Sequence, residues 1–89
     1  MHFLYILYLK QTNQLYTGTT GNIKRRIAEH KQGKTHSTKN KTPSLIHCEI
    51  FTLKSDAERR ERFLKTTEGK RLLRQQIKDI LKQHNYPTP

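Results

Sequence analysis

Phe3-Leu4-Tyr5-Ile6-Leu7-Tyr8-Leu9, the polar break Lys10-Gln11-Thr12-Asn13-Gln14, and then Leu15-Tyr16-Thr17-Gly18 form the stretch that decides the fold. The first run is rich in aromatic and branched side chains and reads as a strand. Thr12 and Asn13 lie in a polar turn. Leu15 to Thr17 reads as a second, shorter strand, so the two make an antiparallel hairpin with a longer loop. Gly18 to Gly21 ends the strand pattern. Asn22 is placed to cap a helix, because its side chain can accept from a free backbone N–H. Ile23, Ile27 and His30 then repeat at helical spacing, and Gly33 is a good stop, which predicts a helix over 23–32.

Working outward, Lys34 to Pro43 is a polar, basic loop. Ser44 to Leu53 reads as a third strand, with Ile46, Cys48 and Ile50 on one face and Leu45, His47, Glu49 and Phe51 on the other. Ser55 with Glu58 three residues later matches a capping box, so a second helix is expected over about 56–65, interrupted at Gly69. A third helix is expected over about 70–83, with Leu73, Ile77, Ile80 and Leu81 as its apolar stripe. Pro87 and Pro89 mark a frayed tail. The expected order is β-β-α-β-α-α, an α+β fold with a small, mostly antiparallel three-stranded sheet flanked by helices. It occupies 1–83 as one domain, with 84–89 as a flexible C-terminal tail.

Charge narrows the partners. Eighteen Lys and Arg face seven Asp and Glu in 89 residues, a formal net charge of +11. Such a field attracts polyanions, nucleic acid first among them. A solvated basic surface or a ribosome-associated structural protein would share this composition. A membrane is not expected as a partner: no lipidation signal is visible, and the apolar opening from Met1 to Leu9 is far shorter than the roughly 20 residues of a bilayer span. That opening also makes a poor signal peptide. Cys48 is the only cysteine, which fits a reducing cytoplasm. The working oligomeric state is a monomer.

Several chemistries lack support. The five histidines and Cys48 show no zinc-ligand spacing. No phosphate-binding loop, dinucleotide fingerprint or nucleophile elbow is present. None of the common nucleic-acid-binding motifs appears.

One ordered constellation remains. Phe3-Leu4-Tyr5 on the first strand and Tyr16-Thr17-Gly18 on the second resemble the two short signatures that name the GIY-YIG nucleases. Arg26 lies ten residues after Tyr16, as that family's catalytic arginine does, and His30 lies one helical turn further on. Glu61, within Glu58-Arg59-Arg60-Glu61-Arg62-Phe63, aligns with the family's metal-binding glutamate. Gly33, Thr38 and Pro43-Ser44-Leu45-Ile46 also resemble the small single-domain members. The likeness covers about Phe3 to Leu73. Phe3 replaces the name-giving glycine, Thr17 replaces isoleucine, and Thr19 stands where DNA-repair members carry lysine.

The resemblance implies a metal-dependent endonuclease acting on nucleic acid, DNA ahead of RNA, that leaves 5′-phosphate and 3′-hydroxyl ends. Its catalytic set is Tyr5, Tyr16, Arg26, His30 and Glu61, with Glu61 holding one divalent ion, Mg²⁺ or Mn²⁺. Tyr5 and Tyr16 are implied as partners in activating water. Arg26 would bind the scissile phosphate. Lys24, Arg25, Lys31, Lys34, Lys39 and Lys41 would hold the nucleic-acid backbone without reading bases. Each residue also has a plainer reading: Tyr5 as a core aromatic, Arg26 as a snorkelling side chain, His30 as a structural histidine, Glu61 as an exposed pair with Lys65, and the cations as a solvated face. The alternative for the whole chain is a nucleic-acid-binding module with the same fold and little or no cleavage.

Overall fold

The computed structural model describes residues 1–87. Three antiparallel strands, β1 (His2–Leu9), β2 (Gln14–Thr20) and β3 (Pro43–Phe51), form a sheet in the order β2-β1-β3. Among the described residues four helices accompany the sheet, α1 (Ile23–Lys31) between β2 and β3, then α2 (Lys54–Leu64), α3 (Thr67–Gln76) and α4 (Lys78–Gln83) after β3. This is the α+β fold that the sequence predicts.

β1 is central, so both its faces are covered. Leu4 to Leu9 are all buried, which explains why the segment is an unbroken apolar run rather than an alternating one. Leu4 and Ile6 pack with Leu64, Leu73, Ile77 and Leu81 from the later helices. Tyr5, Leu7 and Leu9 pack on the other face with Tyr16, Ile23 and Ile27. Each of these fully buried aliphatic side chains stabilises the fold by about 1.5–3 kcal/mol.

Several local expectations differ from the structure. β3 does not alternate cleanly. Ile6 pairs with His47 and Leu7 with Leu45, so Ile46 is the extra residue of a bulge. Ile46 therefore joins Phe51 against the Leu4 and Ile6 cluster, while Cys48 and Ile50 face solvent. The Ser55–Glu58 capping box does not form. α2 begins one residue before Ser55, with Leu53 at the cap and no side chain bonded there. Only Thr52 and Leu53 separate β3 from α2, so the helix takes Ser55 into its first turn and leaves it no capping position. The chain breaks at Lys65 and Thr66, not at Gly69. Thr66 caps α3 by accepting the Gly69 N–H at 3.0 Å. The single third helix is two helices, parted at Ile77, whose φ of −111° and ψ of 28° leave the helical region.

Of the expected tail at 84–89, Thr88 and Pro89 lie outside the described residues. His84 stacks on Tyr8 with ring centroids 4.6 Å apart, and Tyr86 packs against the Leu4 cluster. No helix among the described residues is long and apolar enough to cross a membrane.

β3 is tied to the helices by charge. Arg60 donates to both carboxylate oxygens of Glu49, at 3.0 and 3.1 Å, and also reaches Gln76 at 3.4 Å. His47 Nε2 donates to the same carboxylate at 2.9 Å. Burial pushes the Glu49 carboxyl up, but the bonds from Arg60 and His47 outweigh it and hold the group below its ordinary value.

Two expectations follow for stability. A Cβ at Gly69 would overlap the Phe63 carbonyl, a backbone atom that cannot swing away. Gly69→Ala is therefore expected to destabilise by about 1–3 kcal/mol in urea unfolding, although alanine is the better helix former by about 1 kcal/mol. A depressed carboxyl adds stability in full above its unfolded pKa of about 4.3 and loses it as pH falls through the lower folded value. The urea midpoint should thus drop below about pH 4, and drop less in Glu49→Gln.

Candidate functional site

Strand register brings the two tyrosines together. Tyr5 pairs with Gly18 and Leu7 with Tyr16 across β1 and β2, so Tyr5 and Tyr16 lie on the face that α1 covers. Their ring centroids are 6.3 Å apart. Gly18 makes this possible: a Cβ there would sit 2.5 Å from the Tyr5 hydroxyl oxygen and 3.2 Å from Tyr16 Cε1. The glycine of the second signature thus leaves room for both rings.

α1 delivers the next two groups. Asn22 caps it as expected, accepting from the Arg25 N–H at 3.1 Å. Arg26 and His30 follow, four residues apart on one face. Arg26 Nε donates to the Tyr5 hydroxyl at 3.3 Å. His30 Nε2 lies 2.9 Å from the same oxygen. The His30 and Tyr16 rings meet edge to face, with centroids 5.2 Å apart. His30 is only 1% exposed.

Donor arithmetic assigns the protons. A guanidinium can only donate, so the Tyr5 oxygen accepts from Arg26 and its own proton goes to His30 Nε2. That nitrogen must be bare, so Nδ1 carries the ring proton. Nδ1 donates to Thr38 Oγ1 at 2.7 Å, and the Thr38 hydroxyl is 3.5 Å from the Thr35 carbonyl. Each donor in this chain thus meets an acceptor, from the arginine on α1 to a short 3₁₀ turn at His36–Thr38.

Electrostatics agree with that assignment. Burial lowers the His30 pKa, and the Arg26 charge lowers it further against a smaller opposing pull from Glu29. Burial raises the Tyr5 phenol above its ordinary value. The Arg26 bond opposes that rise without cancelling it, and the charges of Tyr16 and Glu61 add to it. Both groups are therefore neutral at neutral pH. Arg26 is held as well by Glu29, at 3.2 Å, with 33% of its side chain still exposed.

Glu61 stands apart on α2. Its side chain is 23% exposed, and Lys65 Nζ donates to it at 3.0 Å. The i, i+4 pair weighed from the sequence does form, and the Glu61 charge is the smallest of the influences that raise the Tyr5 phenol. Among the described residues, no three His, Cys, Asp or Glu side chains gather closely enough to hold a metal by themselves. A single carboxylate could still serve a hard cation that takes waters and phosphate oxygens as its other ligands. Lys24, Arg25, Lys31, Lys34 and Lys39 are exposed and Lys41 is partly buried. They run along α1 and the loop after it, and Arg25 shares Glu29 with Arg26 at 3.9 Å.

The structure thus brings Tyr5, Tyr16, Arg26 and His30 into one contacting cluster. Thr38 is a member that pattern reading did not single out for a role. Nothing local marks it, because its loop is polar and basic throughout. Only the fold back from residue 30 to residue 38 buries its side chain completely.

Comparisons with known proteins point the same way. A family model described as the GIY-YIG catalytic domain matches residues 1–75. A UPF0213 protein of Staphylococcus haemolyticus is 46% identical over 67 residues, covering 73% of this chain and 80% of that protein. A UPF0213 protein of Clostridium perfringens is 33% identical over 88 residues, covering 97% of this chain and 94% of the relative. The solution NMR structure of a UPF0213 protein from Bacillus halodurans is 30% identical, with a TM-score of 0.52, over 81% of this chain and 80% of its own. The family match spans most of the chain, and the solved relative shares its fold: this chain belongs to the GIY-YIG catalytic domain family.

Proposed function

We propose that this chain is a metal-dependent endonuclease that hydrolyses phosphodiester bonds of nucleic acid, with DNA as its preferred polymer. The observation that carries the reading is the convergence of Arg26 Nε and His30 Nε2 on one buried phenol, at 3.3 and 2.9 Å. Arg26 keeps 33% of its side chain exposed while Nε holds Tyr5 and Nη1 holds Glu29. It can therefore grip a phosphate and stabilise the charge that builds on it.

The attacking water must lose a proton. The Tyr5 oxygen takes it as Tyr5 passes its own proton to His30 Nε2, leaving a neutral phenol and an imidazolium. This relay needs no free phenolate, which suits a phenol whose burial disfavours ionisation. The arriving phosphate offsets the Arg26 charge that otherwise opposes protonation of His30. Tyr16 closes the cluster as the second phenol. Glu61 would hold one Mg²⁺ or Mn²⁺, as the family resemblance implies, in exchange for its bond to Lys65. When bound, such a cation supplies Lewis-acid stabilisation of the phosphate and its leaving oxygen. Lys24, Arg25, Lys31, Lys34, Lys39 and Lys41 hold the flanking backbone.

One observation favours a second reading, a binding module of the same fold that cuts little or not at all. The Lys65 ammonium already satisfies the Glu61 carboxylate, at 3.0 Å.

A Mg²⁺-dependent cleavage assay on plasmid, branched DNA and RNA separates the two. Arg26→Ala and Glu61→Ala are each expected to lower cleavage by about 10²-fold or more. Activity surviving both substitutions would sink the assignment; salt-dependent binding without cutting would support the binding module. The pH profile tests the relay. His30 must be neutral to accept, and its pKa lies below the ordinary value, so the rate should fall only as pH drops below about 6.5. Stability has the same sign, because the unfolded chain takes up the proton first as pH falls. Thr38→Val removes the acceptor that orients His30. It is expected to lower the rate and move the acid limb to lower pH, and Thr38→Ser should restore both. A lower melting temperature with an unmoved profile would make Thr38 a packing residue only.

A further inference from the structure

We propose that a cleft between β2 and the α2–α3 junction, across the edge strand β2 from the tyrosine cluster, holds an unpaired nucleotide of the strand cut at that cluster. The proposal rests on the nuclease reading for its substrate, and on separate residues for its argument. The cleft has a volume of about 490 Å³, within the roughly 300–1,000 Å³ of small-ligand sites. Its walls divide by chemistry. Leu15, Leu64, Leu73 and Tyr86 supply apolar and aromatic surface, and Lys65, Lys70 and Arg74 supply positive charge. A nucleotide is built the same way, from a flat, largely apolar base face and an anionic phosphate.

The cations are available. Lys65 is engaged by Glu61, but Lys70 and Arg74 have no acidic partner among the described residues. The acid nearest to them in sequence, Glu68, is taken by Arg71. Lys70 and Arg74 are four residues apart, so they are neighbours on one face of α3. Two like charges held side by side are mutually unfavourable until an anion sits between them.

Tyr16 joins the two sites. Its ring meets His30 with centroids 5.2 Å apart, and the same residue lines the cleft. Leu64 and Leu73 pack on the sheet face opposite the tyrosines, so a strand whose phosphate lies at Arg26 and Tyr5 passes over the edge strand β2 to reach the cleft. A base within a duplex keeps both faces stacked on its neighbours. Only an unpaired base can turn its face onto Tyr86 and the leucines, as aromatic platforms bind single strands. The shared chemistry is an unpaired nucleotide with its phosphate, from DNA or RNA. None of the six cations on α1 and its following loop takes part.

The test is fluorescence anisotropy without metal, using a labelled single-stranded DNA oligomer, its duplex and the RNA of the same sequence. Lys70→Gln/Arg74→Gln is compared with Lys78→Gln/Lys82→Gln, which removes the same charge from α4, and thermal melts confirm that both variants fold. The single strand should bind more tightly than the duplex. The α3 pair should weaken single-strand binding by about tenfold and reduce the salt slope by about 1.4, two phosphates at about 0.7 each. The α4 pair should do much less. Equal losses from both pairs, or a duplex bound as tightly as the single strand, would overturn the proposal. The nuclease reading fails separately. If no cleavage occurs yet the α3 pair selectively weakens single-strand binding, the cleft stands and the cutting does not. If the chain cleaves single strands and the α3 pair leaves KM unchanged, the cleft is wrong and the nuclease remains.

Discussion

Tyr5 lies in the central strand, and its hydroxyl is where β1, β2 and α1 are locked to one another. The oxygen accepts from Arg26 and donates to His30, and the ring fits only because Gly18 opposite has no side chain. A polar group buried this deeply is costly unless each of its bonds is made. That requirement fixes the phase of α1 and the tautomer of His30. Through Thr38 it also anchors the loop between α1 and β3. The arrangement that stabilises this face is thus the one that leaves a phenol, an imidazole and a guanidinium preorganised around a single point. Little reorganisation would remain for the cleavage proposed above.

The charge of the molecule is organised around the same cluster. Seven acids face eighteen Lys and Arg, and most of the acids are spent in local pairs: Glu29 with Arg25 and Arg26, Glu49 with Arg60, Asp56 with Arg59, Glu61 with Lys65 and Glu68 with Arg71. Among the cations left without an acidic partner in the described residues, Lys24, Lys31, Lys34, Lys39 and Lys41 lie along α1 and the loop after it, Lys70 and Arg74 lie on α3, and Lys10, Lys54, Arg62, Lys78 and Lys82 lie elsewhere. Exposed pairs of this kind add little stability, so the surplus matters for attraction more than for folding. The Glu49–Arg60 pair differs, being partly buried and bidentate, and it holds the bulged edge strand to two helices.

Much of this was legible in the sequence because it is written in local pattern. The apolar run at Leu4 to Leu9, the cap at Asn22, the spacing of Ile23, Arg26, Ile27 and His30, and the stripe at Leu73, Ile77 and Leu81 each reflect a period that the backbone imposes. What misread was decided at a distance. Ser55 and Glu58 are spaced for a capping box, but α2 begins two residues after β3 and takes Ser55 into its first turn. Gly69 resembles a helix break, yet it is needed inside α3 because the Phe63 carbonyl passes too close for a Cβ. Ile46 fits a simple alternation until its pairing with β1 slips by one residue.

The three strands, the central hydrophobic segment and the basic excess followed from the sequence alone, since each depends on residue type and on spacing within one element, while two tyrosines, an arginine and a histidine were singled out by family resemblance. Tertiary structure decided the rest. It placed Thr38 behind His30, gave Gly18 its function, paired Glu61 with Lys65 while leaving its charge within reach of Tyr5, and opened a cleft between β2 and α3. These depend on contacts between segments far apart in the chain, where shape, burial and the need to satisfy every buried polar group choose among arrangements that local pattern leaves equal.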